Sequence, residues 1–428
     1  MEHAAADRHH SGAAAPLVHP LVPDSPATIV ADEGALRALL GHLEDHPVLS
    51  YDTEFIGEES FFPKVCLVQV ATAERIALVD PAGLGPRSPA LGDLYRALVA
   101  RGRTVLVHAG EADLGILRRG ADAEPEAVVD TQIAAAMCWM PWPASLGTVL
   151  ETLTGHRLGK AHTFTNWDAR PLTAAQLRYA ADDVRYLRLI WHLLGERLRT
   201  LGRLEWALAE SREQLRAADF TPEAQLRRLS RVEPMRAGQR AVARELVGLR
   251  YQLARTLDLP ARTVLPDATV VDLCKRKPAT RAALGMISGV PRRILAAHGD
   301  EILQAIERGR SATHEPEPGP QPMDEPRIRA ESDALWTAFQ VRAHAIGLAP
   351  NLVATRNAFT RWFNAHVLAR NEGRMLGAGD GPDALLPPDD WRHAAMGQWL
   401  DAFLRGGERL ELAWTAHGMV APGYDRPR

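Results

Sequence analysis

Cysteine is scarce in this chain: 428 residues hold three, Cys66, Cys138 and Cys274. They are far apart, odd in number and without a Cys-x-x-Cys spacing, which excludes a disulfide framework and fits reduced thiols in a cytosol. No stretch reaches the ~18 consecutive apolar residues that a membrane span requires, so no contact with a membrane is expected. Residues 1–26 are rich in Ala, His and Pro and have neither a basic start nor a sustained apolar run. They read as a disordered tail rather than a signal peptide. A large excess of either charge is lacking too. The formal net charge of −3 excludes a uniformly basic nucleic-acid binder, while leaving local patches open. A Walker loop is absent, because only three residues separate Gly155 from Gly159-Lys160 and Ala161 stands where a Ser or Thr would bind Mg²⁺. A helicase motor is thereby excluded, and the expectation is a cytoplasmic protein of two or three domains.

What is present is a set of acidic residues in three separated segments. Val48-Leu-Ser-Tyr-Asp-Thr-Glu-Phe55 reads as a strand, and its period of two puts Asp52 and Glu54 on one face. Tyr179-Ala-Ala-Asp-Asp183 lies in a helical pattern, where the i,i+4 spacing puts Tyr179 and Asp183 on one face. Asp182 beside it reads as a solvated helix charge. Thr173-Ala-Ala-Gln176 has the form of a capping box, so this helix is expected to start there and run to about Leu198. Between these segments, His108-Ala-Gly-Glu-Ala-Asp-Leu114 begins at the end of a short β-like run, Thr104–His108. Further β-like runs at 65–70, 75–80 and 127–130 bring the expectation to five strands in a layered α/β domain over 27–216, with the first three strands an antiparallel meander in a mixed sheet.

These three motifs, in this order across about 130 residues, resemble ribonuclease D and its relatives, the 3′→5′ exonucleases of the DEDDy group. Asn166-Trp-Asp-Ala-Arg-Pro-Leu172 is similar to the same family. The resemblance implies a ribonuclease H-like, DnaQ-like exonuclease domain. It also implies a site of Asp52, Glu54, Asp113 and Asp183 holding two divalent cations, Mg²⁺ or Mn²⁺, with Tyr179 orienting the attacking water. Such chemistry is physically apt. Two cations can activate a water, neutralise phosphoryl charge and stabilise the leaving oxygen, and hard ions suit carboxylate ligands. A phenol pKa of ~10 makes Tyr179 a poor base by itself. Phe55, beside the acidic pair, is the candidate for stacking on a terminal base. His108 is the other candidate substrate contact, its alternative being a buried structural histidine. His162 lies in a loop before the third motif and is open to either reading. After Phe55 the chain continues Ile-Gly-Glu-Glu-Ser-Phe-Phe-Pro-Lys64, with two acids where ribonuclease D proteins often carry an Arg and a Tyr, which argues against that loop as a phosphate clamp.

Past a connector at 217–235, the run Leu249-Arg-Tyr-Gln-Leu-Ala-Arg-Thr-Leu-Asp-Leu-Pro260, then Asp267–Leu273, Lys277-Pro278 and Ile287-Ser-Gly-Val-Pro291, resembles an HRDC domain, the helical module shared by RecQ-type helicases and ribonuclease D, over 236–311. From Gln225 to Arg262 nine arginines face three acids, a local basic surplus. The stretch 312–326 is too proline-dense to pack and reads as an extended linker. The helical pattern of 327–428, with Trp336, Trp362, Trp391 and Trp399, reads as a second HRDC-like domain. The leading expectation is a 3′→5′ exoribonuclease that trims structured RNAs such as tRNA precursors with 3′ tails and releases nucleoside 5′-monophosphates. Alternatives are a DNA-directed exonuclease and a non-catalytic nucleic-acid-binding scaffold. A monomer is favoured.

Overall fold

The computed structural model describes residues 17–57, 59–85, 89–159, 166–217, 237–312, 326–371, 381–415 and 418–420, with a few single positions between them. His162 lies outside the described residues. The chain divides into two compact units, the first built from 1–53, 68–215 and 321–428 and the second from 54–67 and 216–320.

The first unit is organised by a mixed six-stranded sheet. Its strands are β1 (Thr28–Val30), β2 (Val48–Ile56), β3 (Lys64–Ala71), β4 (Ile76–Val79), β5 (Thr104–Val107) and β6 (Ala127–Asp130), in the order β1-β4-β3-β2-β5-β6. β3 and β4 are antiparallel, whereas β1 runs parallel to β4, β5 to β2 and β6 to β5. The three-residue β1 was not anticipated, since so short a segment carries no period. β2 is interior to the sheet, which brings the ends of β2 and β5 side by side: Ser50 pairs with Leu106, so Asp52 stands just beyond the paired stretch. β4, with every residue buried, and β5, with three of four buried, lack polar alternation, as expected of strands covered on both faces.

Helix α1 (Glu33–Glu44) starts at Asp32, whose side chain accepts from Ala35 N. Helix α2 (Glu111–Ala121) follows β5. The expected long helix after Thr173 is two: α3 (Ala174–Arg185), opened by a complete capping box of Thr173 and Gln176, and α4 (Leu187–Thr200), separated at Tyr186. Part of 17–26, read as belonging to a disordered tail, is packed. Val22 is buried in the main core, and Pro23 O accepts from Arg185 Nη1 at 2.6 Å. The pair Leu21-Val22 supplies apolar area that composition averaging over the tail conceals.

Described residues between 328 and 410 share the core of this unit. Trp336, Phe339, Phe359, Trp362 and Trp399 belong to one buried cluster with Ile133, Leu150, Leu187 and Ile190. Ala349 N donates to Ala136 O and Trp139 N to Gly347 O, both at 3.0 Å, and the buried Arg203 donates to the carbonyls of Met137, Ile346 and Gly347. Read from sequence as a domain of its own, 327–428 thus buries its aromatics against the sheet-bearing part of the chain.

In the second unit, helix α5 (Ala237–Leu257) packs against α6 (Arg292–Ser311) over a separate core that includes Val242, Leu246, Leu273 and Ile302. Arg250 is fully buried there. It donates to Asp267 Oδ1 at 2.6 Å, Leu265 O at 3.1 Å and Gln225 Oε1 at 3.0 Å, the partnering that a buried guanidinium needs.

Candidate active site

Asp52 and Glu54 project from one face of β2, and Asp183 reaches them from α3. A ligand oxygen from each of the three lies within 4.8 Å of the others, the acidic cluster suited to a divalent cation. Asp183 shows the electrostatic strain of the arrangement. Burial first, then the charges of Asp182 and Asp113, hold its carboxyl up at about 7, against a hydrogen bond from Tyr179 that lowers it. Positive charge placed beside such an acid would favour its ionised form. The donor set fits a hard ion.

Asp113 stands beside this triplet rather than in it. It sits in the first turn of α2, 7% exposed, and its Oδ1 accepts from Thr53 N at 3.1 Å and from Thr53 Oγ1. Tyr51 Oη donates to its carbonyl at 3.3 Å. Burial pushes its carboxyl up, and the Thr53 bonds oppose that. Thr53, between the two acids of the strand, therefore ties the second motif to the first. Sequence reading passed over it, because a threonine in a strand carries no signal of its own.

The turn that delivers Asp113 is tightly specified. Ala109 has φ 56°, in the left-handed region, and Asp130 at the end of β6 accepts from Ala109 N at 3.1 Å and Gly110 N at 3.0 Å. A Cβ on Gly110 would stand 2.5 Å from Val107 Cβ, so only glycine fits. Asp130 is completely buried and also caps the following helix through Gln132 N. It was likewise missed, since its partners come from the neighbouring strand.

His108 has both ring nitrogens engaged, Nδ1 with Thr131 Oγ1 at 2.9 Å and Nε2 with Ala144 O at 3.0 Å. Burial pushes its pKa down, against Asp130. The ring is thus committed to the scaffold around β5, the structural alternative to a substrate contact. Phe55 is half-buried and lines a cavity of about 680 Å³ with Ile56, Gly57, Glu59 and Arg262. Tyr179 carries the ring of Trp167 beside it, centroids 6.1 Å apart. The stretch with Trp167 is anchored by a two-pronged Arg170–Asp80 pair, 2.7 Å at each contact. Burial alone would raise Asp80, but Arg170 holds it below its ordinary value. Asp182 is not the solvated charge expected. It is partly buried, bonded to Arg185 at 3.2 Å, and raised by desolvation.

A second cluster, His42, His46 and Glu74, also brings ligand atoms within 4.8 Å. Both imidazoles have structural partners: His42 Nε2 meets Thr72 Oγ1 at 3.0 Å, and His46 Nδ1 donates to His42 O at 2.8 Å, closing the end of α1.

The stretch that carries Asp52, Glu54, Tyr179 and Asp183 lies within residues 27–199, which match the family model described as 3′-5′ exonuclease and place this domain in that class of nuclease. An HRDC domain model matches 239–306. Ribonuclease D of Gluconacetobacter diazotrophicus is 32% identical over 373 residues, covering 81% of this chain and 93% of that protein, and ribonuclease D of Cronobacter turicensis is 27% identical over 88% and 100%. The crystal structure of Escherichia coli RNase D, described as an exoribonuclease involved in structured RNA processing, superposes with a TM-score of 0.68 at 26% identity, covering 90% of this chain and all of that one. The chain belongs to the ribonuclease D family and is a 3′–5′ exoribonuclease.

Proposed function

We propose that this exoribonuclease trims the 3′ tails of structured RNAs, tRNA precursors among them, by hydrolysis that depends on two divalent cations, Mg²⁺ or Mn²⁺, and releases nucleoside 5′-monophosphates. The convergence of Asp52, Glu54 and Asp183, with Asp183 held up at about 7, is the observation that carries the reading. Cations bound there would supply charge neutralisation at the phosphodiester and a more acidic water. Asp52, Glu54 and Asp183 would hold them, with Asp113 acting from beside the triplet, its Oδ1 committed to Thr53. Tyr179, bonded to Asp183, orients the attacking water by its hydroxyl and leaves deprotonation to the charged site. Phe55 stacks on the terminal base, and His108 holds the scaffold. The last hundred residues we assign to an HRDC-like helical arrangement that completes the first unit.

The test is incubation of the purified protein and its Asp52→Asn variant with matched RNA and DNA oligomers bearing 3′ overhangs, with and without Mg²⁺, followed by product identification. Mg²⁺-dependent release of nucleoside 5′-monophosphates from RNA, absent in the variant, is expected. Preference for DNA would move the assignment to a DNA-directed exonuclease, and full activity in the variant would overturn the site.

A further inference from the structure

The segment that follows the acidic strand does not end with the sheet. Residues 54–67, which begin at Glu54 and run through the loop into β3, group with 216–320 in the second unit. Gly57 and residues 59–63 belong to no helix or strand, so contacts from outside regular structure hold them.

The grip comes from the C-terminal end of α5. Asp258, directly after that helix, has φ 47°, a left-handed conformation that Asp, Asn and Gly adopt with the least strain. From there its Oδ1 accepts the backbone N–H of Phe61 at 3.1 Å and of Phe62 at 3.3 Å. Two consecutive amides on one carboxylate oxygen form a charge-assisted clamp, stronger than an amide acceptor would give. Apolar contact supports it. The Phe61 ring meets Tyr251 of α5 edge-on, centroids 5.2 Å apart, and packs on the core of the second unit. The inner side of the same arm, Phe55, Ile56, Gly57 and Glu59, walls the cavity that Arg262 also lines. Phe61 lies seven residues from Glu54, so the arm is short enough for the clamp to restrict the end of β2.

We infer that Asp258 is a positioning residue for Glu54: its hold on the amides of Phe61 and Phe62 restrains the arm that follows Glu54 and thereby the orientation of that carboxylate. This rests on the reading of Glu54 as a cation ligand. Residues around metal ligands commonly influence affinity without touching the ion, by fixing the ligand's orientation. The acids of the loop, out of place in a phosphate clamp, are compatible with a loop that is held by protein instead.

The full-length Asp258→Gly and Asp258→Asn variants separate the roles, because both residues suit the left-handed backbone but only Asn keeps an acceptor for the two amides. Mn²⁺ affinity without RNA is measured by titration calorimetry, amide exchange is followed over 54–67, and kcat and KM are measured at limiting and saturating Mn²⁺. Asp258→Gly is expected to weaken Mn²⁺ binding about tenfold, speed exchange in the arm and lower kcat at limiting Mn²⁺ with KM for RNA unchanged, while Asp258→Asn stays within about twofold of the parent. Phe61→Ala, a change in a partly exposed loop side chain, should shift Mn²⁺ affinity in the same direction. Parent-like Mn²⁺ affinity in Asp258→Gly, or an effect on KM alone, overturns the inference provided Glu54→Gln weakens Mn²⁺ binding. If Glu54→Gln leaves it unchanged, the cation-ligand reading falls and the inference with it.

Discussion

Replacing Asp183 with Asn removes a charge while keeping the shape and an oxygen that can accept from Tyr179. Its effect on stability can be worked from the site. Asp183 is held up at about 7, from an ordinary 3.8, by burial and by the charges of Asp182 and Asp113. The folded state therefore binds this proton more tightly than the unfolded chain. Its contribution to stability is fully present below pH ~4 and is lost progressively as the pH rises to 7. At ~1.4 kcal/mol per unit, the shift corresponds to about 4 kcal/mol at most, and relaxation of neighbouring acids should reduce this to about 2 kcal/mol. Without metal at pH 8, Asp183→Asn should therefore be the more stable protein, with a melting temperature roughly 4–8 °C higher. At pH 4, close to the carboxyl's ordinary value, the gap should nearly close. Saturating Mg²⁺ should reverse the order at pH 8, because only the parent gains a ligand-binding contribution. Differential scanning fluorimetry in EDTA and in Mg²⁺ at both pH values tests all three statements. A variant less stable than the parent in EDTA at pH 8 would refute the electrostatic account of the site.

Tyr179→Phe should lower kcat by roughly 10- to 100-fold with little change in RNA binding, since the ring beside Trp167 is kept and only the hydroxyl on Asp183 is lost; single-turnover kinetics and filter binding check it. Arg262→Ala, which empties one wall of the cavity beside Phe55, should raise the Kd for single-stranded RNA and flatten the plot of log Kd against log salt by about 0.7, the loss of one phosphate contact, without changing kcat on short oligomers. A chain ended at residue 320 should unfold about 10 °C lower or aggregate, because it uncovers the core that Trp336, Phe339 and Trp399 share with the sheet-bearing part; thermal melts of the two lengths decide this.

The features legible in the sequence were those with a local period. Asp52 and Glu54 declare themselves because a strand alternates, Tyr179 and Asp183 because a helix repeats every 3.6 residues, and the capping box of Thr173 and Gln176 because its bonds close within four residues. What escaped was settled by pairing across the chain. Thr53 meets Asp113 only when β2 lies beside β5, Asp130 meets Ala109 and Gly110 only when β6 lies beside β5, and Asp258 meets Phe61 and Phe62 from 197 and 196 residues away. The aromatic residues of 335–400 marked buried helical faces but could not name the surface that buries them.

Asp182 and Asp183 show how far apart adjacent residues of one type can stand. They occupy successive helical positions 100° apart, and the tyrosine one turn earlier identifies only Asp183 as the site residue. Asp182 turns instead to Arg185, whose other contact is the carbonyl of Pro23, so the pair closes α3 onto the chain that precedes β1. Its charge is nevertheless, after burial, the largest contributor to the raised carboxyl of Asp183. A residue with a structural partner thus also helps to hold a neighbouring carboxyl up. Its removal should weaken both: Asp183 would ionise at lower pH, and Arg185, which reaches Pro23 O, would lose its carboxylate partner.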